Sequence, residues 1–372
     1  MAVVQAMPSD TTVVSANSWG ASAWTKTAKI SVLLSDGTPK NYFLKIRLHC
    51  FRGQYFENRS DVGIQCATGR GAWPLTEGEY HSATAIHSAV PGFVPKPCGW
   101  GQYQDDKSEV YFFLGDYHDM DVRMAPEPEI FAAQVAELHA KGKSPTGMFG
   151  FSVPTVCGIF ERTVKWETSW AKCFANQLQD VITYDNETNG IWPEFDAACK
   201  RVLSDVIPRL LGVLQTEGQS IEPVLIHGDL WEQNVGLDME TGETIAFDPG
   251  STYAHNEMEF GTWRCSWAHQ FKVPLYLRFY HRHIQPSDPV SEWDDRNRLY
   301  SLHLYLNDST GHPGSVSRSI AYNDMLYLCE KYAPLGSLER YNPEKDISIT
   351  GAYIQHETHM LSESLTSKTV VA

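Results

Sequence analysis

No stretch of this 372-residue chain approaches 18 consecutive apolar residues, so no segment reads as a transmembrane helix. No run of lysine or arginine occurs either. With 30 basic against 45 acidic side chains the formal net charge is −15. Nucleic acid is therefore not expected as a partner, because binding phosphates requires clustered cations. The same shortage argues against an anionic membrane surface. The start, MAVVQAMPSD, lacks the charged head and apolar core of a signal peptide, and the eight cysteines form no C-x-x-C pair. Scattered thiols of this kind suit reduced cysteines in a cytoplasmic protein. Internal repeats and low-complexity blocks are missing too. What is present is a chain 42% hydrophobic and 20% charged, long enough for two lobes with ample core.

Residues 1–18 are small and polar, and disorder is expected there. Two strand-like runs follow, KISVLLSDG and TPKNYFLKIRL, with Asp36-Gly37 between them as a hairpin signal. Residues 52–74 read as a looser stretch. LTEGEYHSATAIHSAV then has helical spacing, with Leu75, Glu79, Ala83 and Ile86 near one face. PGFVPKPCGWG breaks that helix, and EVYFFLGDY predicts another strand. Beyond Tyr117 the character changes. PEPEIFAAQVAELHAKG is an amphipathic helix with an acidic first turn and Gly142 as its stop. WETSWAKCFANQL, with Trp166 and Trp170 at i and i+4, reads as a core helix face. The remainder is mainly helical, apart from strands around IHGDLWEQNVGL and ETIAFD facing each other across Asp238 to Gly242. The outline is α+β: a small antiparallel-sheet lobe over 19–115, a larger, mainly helical lobe over 116–365, and a tail over 366–372.

The polar cluster in IHGDLWEQN sits between two β elements, where a rigid scaffold commonly presents chemistry on a loop. His227, Asp229 and Asn234 have the H-x-D-x-x-x-x-N spacing of a kinase catalytic loop, and Asp248-Pro249-Gly250 sits where kinases carry a metal-binding aspartate. Phosphoryl transfer from ATP needs such a set. One carboxylate, Asp229, would orient and deprotonate an acceptor hydroxyl, while Asn234 and Asp248 would hold Mg²⁺ on the phosphates. The plainer reading is a polar hairpin whose side chains satisfy turn backbone. A kinase-like site also needs a phosphate-binding lysine on a strand. Lys45 in NYFLKIRL is a charge inside an apolar run and needs a partner. Arg47, on the same strand face, competes with it. Glu79 on the following helix is the acid placed to hold that lysine, with Glu77 as rival; the plainer reading is a surface ion pair.

Several motifs occur in order: NYFLK, GEYHSATAIH followed by VPKP, FFLGDYHDMD, VAELHAKGKSPTGMFGF, WETSWAKCFANQL, HGDLWEQN and FDPGSTYAHNEME. Through them, from about residue 20 to 335, the sequence resembles the fructosamine kinase / ketosamine-3-kinase family and its fungal branch in particular. These are relatives of aminoglycoside phosphotransferases within the protein-kinase-like fold. The resemblance implies phosphorylation of the 3-hydroxyl of ketosamines, the sugar adducts on protein lysines or free amines. The 3-phosphate then eliminates and frees the amine. It implies Asp229 as catalytic base, Asn234 and Asp248 as Mg²⁺ ligands, and Lys45 paired with Glu79 on the ATP phosphates. Adenine would meet backbone around Asp116, Tyr117 and His118. Trp231 would wall the sugar site, its alternative being core packing. Two positions depart from the family pattern: Glu259 stands where it has aspartate, and Ala254 where it has glycine. Because the segment around Glu259 braces the catalytic loop, a changed acceptor geometry is expected. The alternatives are another small-molecule kinase, of the aminoglycoside or choline type, and a nucleotide-binding pseudokinase. His281 with His283, and His356 with His359, are expected on the surface or in packing rather than on a metal.

Overall fold

The computed structural model describes residues 2–20, 25–49, 72–105, 108–158, 160–216, 218, 220–334 and 336–350. Most of the stretch 52–74, His356, His359 and the 366–372 tail lie outside the described residues. Strands β1 (Thr12–Ser18), β2 (Lys26–Leu33), β3 (Pro39–His49), β4 (Pro97–Asp105) and β5 (Ser108–Asp116) form an antiparallel sheet in the order β1-β2-β3-β5-β4. The β2–β3 hairpin turns at Asp36-Gly37, where Asp36 accepts the Thr38 N–H at 2.9 Å. Period-two alternation puts Ile30, Val32, Tyr42, Leu44, Phe112 and Leu114 into one cluster. The short helix α1 (Ala2–Gln5) leads into Met7, which joins that cluster. Helix α2 (Ala72–Ala89) packs on β4 and β5 and buries Leu75, Glu79, Ala83 and Ile86.

One expectation fails here, and one element goes unannounced. Residues 12–18, expected to be disordered, form β1 and pair with β2 from Thr12↔Leu33 to Ser18↔Ala28. All but one residue of β1 is exposed, so no hydrophobic pattern announces this edge strand; its ladder is backbone alone. PGFVPKPCGWG does end α2, at Ala89, and from Pro97 onward it also opens β4, a strand its composition does not announce. Its proline and glycines are tolerated because β4 is the opposite edge and pairs on one side only.

The chain leaves the sheet through β5 and crosses by β6 (Met120–Asp121), which pairs with β10 (Val235–Asp238) of the second lobe. That lobe holds α3 (Pro128–Lys141), the hairpin β7 (Thr155–Cys157) with β8 (Phe160–Arg162), and α4 (Trp170–Asn189). Helices α5 (Pro193–Arg201) and α6 (Ile207–Leu211), α7 (Pro274–His283), α8 (Trp293–Gly311) and α9 (Ser317–Tyr332) complete it. Strand β9 (Val224–Ile226) pairs with β12 (Thr252–Ala254), and β10 with β11 (Thr244–Ala246), bracketing two loops. Phe131, Phe271 and Trp263 stack in one core cluster, while α4, α8 and α9 enclose a second around Trp170 and Tyr300. Trp170 opens α4, whereas Trp166 lies before it and stacks on Tyr253 at 5.9 Å, so the two do not share a helix face. Ser169 caps α4 by accepting the Lys172 N–H, which starts the helix after Trp166. The fold is the protein-kinase-like two-lobe α+β arrangement. Among the described residues no helix is long and apolar enough to cross a membrane.

Candidate active site

The buried β9 triplet Val224–Ile226 delivers His227, Gly228 and Asp229 to the cleft between the lobes. Gly228 has φ +82°, and a Cβ there would stand 2.2 Å from the Gly250 carbonyl oxygen; only glycine fits. After Trp231 the chain makes a tight 3₁₀ turn, Glu232–Asn234, in which the Asn234 N–H donates to the Trp231 carbonyl at 2.9 Å. That turn aims the Asn234 amide back at the loop. Its Nδ2 donates to the Asp229 carbonyl at 2.8 Å and to the Asp229 carboxylate at 3.0 Å. Five positions of spacing thus become one hydrogen-bonded pair. Desolvation in the cleft, aided by the Asp248 charge, pushes the Asp229 carboxyl up to about 7 against the pull of the Asn234 bond.

Asp248 follows β11 with φ +57°, in the left-handed region that few residues other than glycine, asparagine and aspartate enter. This turns its carboxylate to Lys45 of β3, Nζ to Oδ1 2.5 Å, across the lobe boundary. The same ammonium meets both Glu79 oxygens of α2, at 2.9 and 3.0 Å. Lys45 and Glu79 are 4% and 7% exposed, so a surface ion pair is ruled out, and Lys45 rather than Arg47 makes the bridge. Burial works against the Lys45 charge, yet Asp248 and Glu79 hold its pKa above the ordinary lysine value. Two carboxylates, Glu79 and Asp248, thus share one ammonium.

The other expected residues lie at the crossing. The Tyr117 N–H donates to the Asn41 carbonyl at 3.4 Å, and its ring meets Trp19 edge-on at 5.4 Å with Lys29 Nζ 4.1 Å from its centroid. The Asp116 carboxylate pairs with Lys40 at 2.8 Å and His118 Nδ1 with Asp238 at 2.6 Å. Both side chains are thus engaged with partners other than Lys45 and Asp248. Trp231 is partly exposed and belongs to none of the three core clusters. His281 packs edge-on against Trp293.

A family model described as fructosamine kinase matches residues 49–320. The chain belongs to the fructosamine kinase family. It is 30% identical over 240 residues to a chloroplastic protein-ribulosamine 3-kinase of Oryza sativa subsp. indica, a match spanning 64% of each chain. It therefore spans just under two thirds of that relative's length. It is 28% identical over 307 residues to a ketosamine-3-kinase of Mus musculus, covering 74% of this chain and 91% of that one. Its fold is similar to the crystal structure of a putative fructosamine-3-kinase from Thermobifida fusca, with TM-score 0.62, 18% identity, and coverage of 86% and 94%.

Glu259 has a direct structural consequence for the loop. It lies in the 3₁₀ segment Asn256–Arg264, and its carboxylate accepts the His227 N–H at 2.6 Å and the Gly228 N–H at 3.0 Å. His139 Nε2 stands 3.5 Å away. Burial opposes its charge, but His139, His227 and the Gly228 N–H lower its pKa below the usual glutamate value. Its side chain thus clamps the two residues preceding Asp229. Glu259→Ala leaves two buried N–H groups unpaired and is expected to destabilise the fold by about 3 kcal/mol and depress turnover as well. An unchanged urea midpoint would show that the clamp carries no stability. Because the folded pKa is depressed, this contribution is present above the ordinary glutamate range and lost as pH falls through the folded value. Sequence reasoning placed Glu259 near the loop without its two bonds. It missed Ser82, whose Oγ accepts the Ser251 N–H at 3.0 Å, and Arg162 altogether.

Proposed function

We propose that this chain transfers the γ-phosphoryl group of ATP to the 3-hydroxyl of ketosamines, ribulosamine or fructosamine adducts on protein lysines or free amines. One observation carries the reading: Lys45 of the sheet lobe meets Asp248 of the helical lobe at 2.5 Å, in the cleft that also holds Glu79, Asp229 and Asn234. In the transfer the acceptor oxygen bonds to the γ-phosphorus, the bond from that phosphorus to the β–γ bridging oxygen breaks, and ADP leaves. Asp229 takes the hydroxyl proton, and a carboxyl titrating at about 7 suits that task near neutral pH. Lys45 supplies a point charge to the phosphates, fixed in place by Glu79. Backbone of residues 116–118 would receive the adenine, and the partly exposed Trp231 would offer an aromatic face to the sugar.

The donor set also fits Mg²⁺. Asn234 commits its Nδ2 to Asp229, which leaves Oδ1, and the Asp248 side chain is 44% exposed, with one oxygen on Lys45. Among the described residues no cluster of three His, Cys, Asp or Glu exists, so two protein oxygens plus phosphate and water would complete the shell, as Mg²⁺ prefers. When bound, the ion neutralises charge on the transferring phosphates. In this reading the lobes divide near residue 116 and the compartment is the cytoplasm, the latter supported by thiols that stay free at Cys98, Cys157, Cys173, Cys199, Cys265 and Cys329.

The ketosamine choice draws on the named activities of the relatives and on Trp231. The test is MgATP consumption with ribuloselysine, fructoselysine, an aminoglycoside and choline in parallel. Phosphate on O3 and release of free lysine are expected, with ribuloselysine used at least as readily as fructoselysine. Its sugar is one carbon shorter and enters any pocket that admits the larger one. Transfer confined to the aminoglycoside or choline would overturn the assignment.

A further inference from the structure

Arg162, the last residue of β8, is 3% exposed, and among the described residues its hydrogen bonds to Gly250 and Gly228 go to backbone rather than to a carboxylate. A buried guanidinium without an anion is costly unless other groups take its place. Here they are backbone carbonyls. Nη1 donates to the Gly250 carbonyl at 2.8 Å, and Nη2 reaches the Gly228 carbonyl at 3.5 Å, the limit of a hydrogen bond. Gly228 immediately precedes Asp229, and Gly250 lies two residues after Asp248. One side chain therefore holds the two loops that present the candidate base and the candidate metal-binding carboxylate.

The surroundings leave no slack. The two loops touch at these glycines, and a Cβ on Gly250 would stand 2.1 Å from the Val156 carbonyl of β7. Strand β7 packs on α2, the helix bearing Glu79, and Ser82 of α2 accepts the Ser251 N–H. The β7–β8 hairpin thus meets all three elements that place Glu79, Asp229 and Asp248. Nε of Arg162 is buried with no hydrogen-bond partner among the described residues, and the Cys157 thiol of β7 also lies within the guanidinium's reach.

We infer that Arg162 is a positioning residue that latches the Asp229 loop to the Asp248 loop and so sets the distance over which the acceptor hydroxyl and the phosphate meet. The inference rests on the kinase reading for its effect on turnover, but not for the latch itself. Two variants and two readouts separate them. In Arg162→Gln, hydrogen exchange at residues 228–234 and 249–252 is expected to accelerate while the β1–β5 sheet is unchanged; this needs no substrate. With the ketosamine accepted by the wild type, kcat should fall about 10- to 100-fold, the usual cost of an ångström of misplacement, with KM for ATP within about twofold. Arg162→Lys keeps the charge and one carbonyl bond and should recover about threefold or more over glutamine. Unchanged exchange in both loops, or Arg162→Gln turnover within about twofold of wild type, overturns the inference. If the glutamine variant does not fold, Arg162→Lys decides. Lower kcat at an unchanged melting temperature supports the latch, and wild-type kcat with wild-type exchange removes it. A wild type that phosphorylates no ketosamine defeats the functional reading, while the exchange result still decides the latch.

Discussion

Replacing Asp229 by alanine is expected to lower turnover about 10²–10⁴-fold while ATP binding stays close to wild type. The carboxylate is held by the Asn234 amide, whereas the Lys45–Glu79 pair that would contact phosphate does not touch it. Losing it removes the proton acceptor without dismantling the nucleotide site. Stability should not suffer, because the substitution also removes a desolvated charge whose carboxyl is pushed up to about 7. The same shift predicts the pH profile. The base must be ionised to act, so kcat/KM of the wild type should fall as pH drops below about 7. ATP affinity by calorimetry and single-turnover transfer measure the two halves separately. A folded Asp229→Ala enzyme retaining most of its turnover would remove Asp229 from the chemistry.

Asp248 is expected to be the second severe loss, roughly 10³-fold or about 4 kcal/mol of barrier, with a raised Mg²⁺ requirement. Asn234→Ala should show the same signature more weakly, because an amide oxygen brings a dipole where Asp248 brings a charge. The backbone dictates the cleaner substitution. At φ +57° alanine would be strained, while asparagine is accepted in the left-handed region, so Asp248→Asn removes the charge and keeps the turn. Its Lys45 partner remains neutralised by Glu79, which protects the fold. Titrations of turnover against Mg²⁺ for Asp248→Asn, Asn234→Ala and wild type give the comparison. Three overlapping curves would place the metal elsewhere.

Local pattern carried most of the candidate site. Asp229 and Asn234 are five residues apart within one tight turn, so their contact follows from chain geometry over a few bonds. Lys45 was legible because a charge in an apolar strand demands a partner, and the helical face of Leu75, Ala83 and Ile86 carried Glu79 toward the sheet. The α3 helix and the β2–β3 hairpin were legible for the same reason: periodicity and turn residues act within a dozen positions. Elements without such a pattern were not. Strand β1 is exposed along its length, and β4 is interrupted by residues that punctuate loops elsewhere.

What the sequence determined alone was thus the inventory of side chains: Asp229, Asn234 and Asp248 as candidates for the proposed chemistry and the Lys45–Glu79 ion pair, set in a sheet lobe and a helical lobe. Tertiary structure decided how these parts are held. Glu259 reaches back 32 residues to His227, Arg162 forward 66 to Gly228 and 88 to Gly250, and Lys45 across 203 to Asp248. Trp166 likewise finds Tyr253 rather than the helix its spacing suggested. No periodicity encodes such separations. They arise only when burial of the two lobes brings distant backbone groups into a water-poor cleft, where each unpaired N–H, carbonyl or charge must find whichever partner the packing leaves beside it.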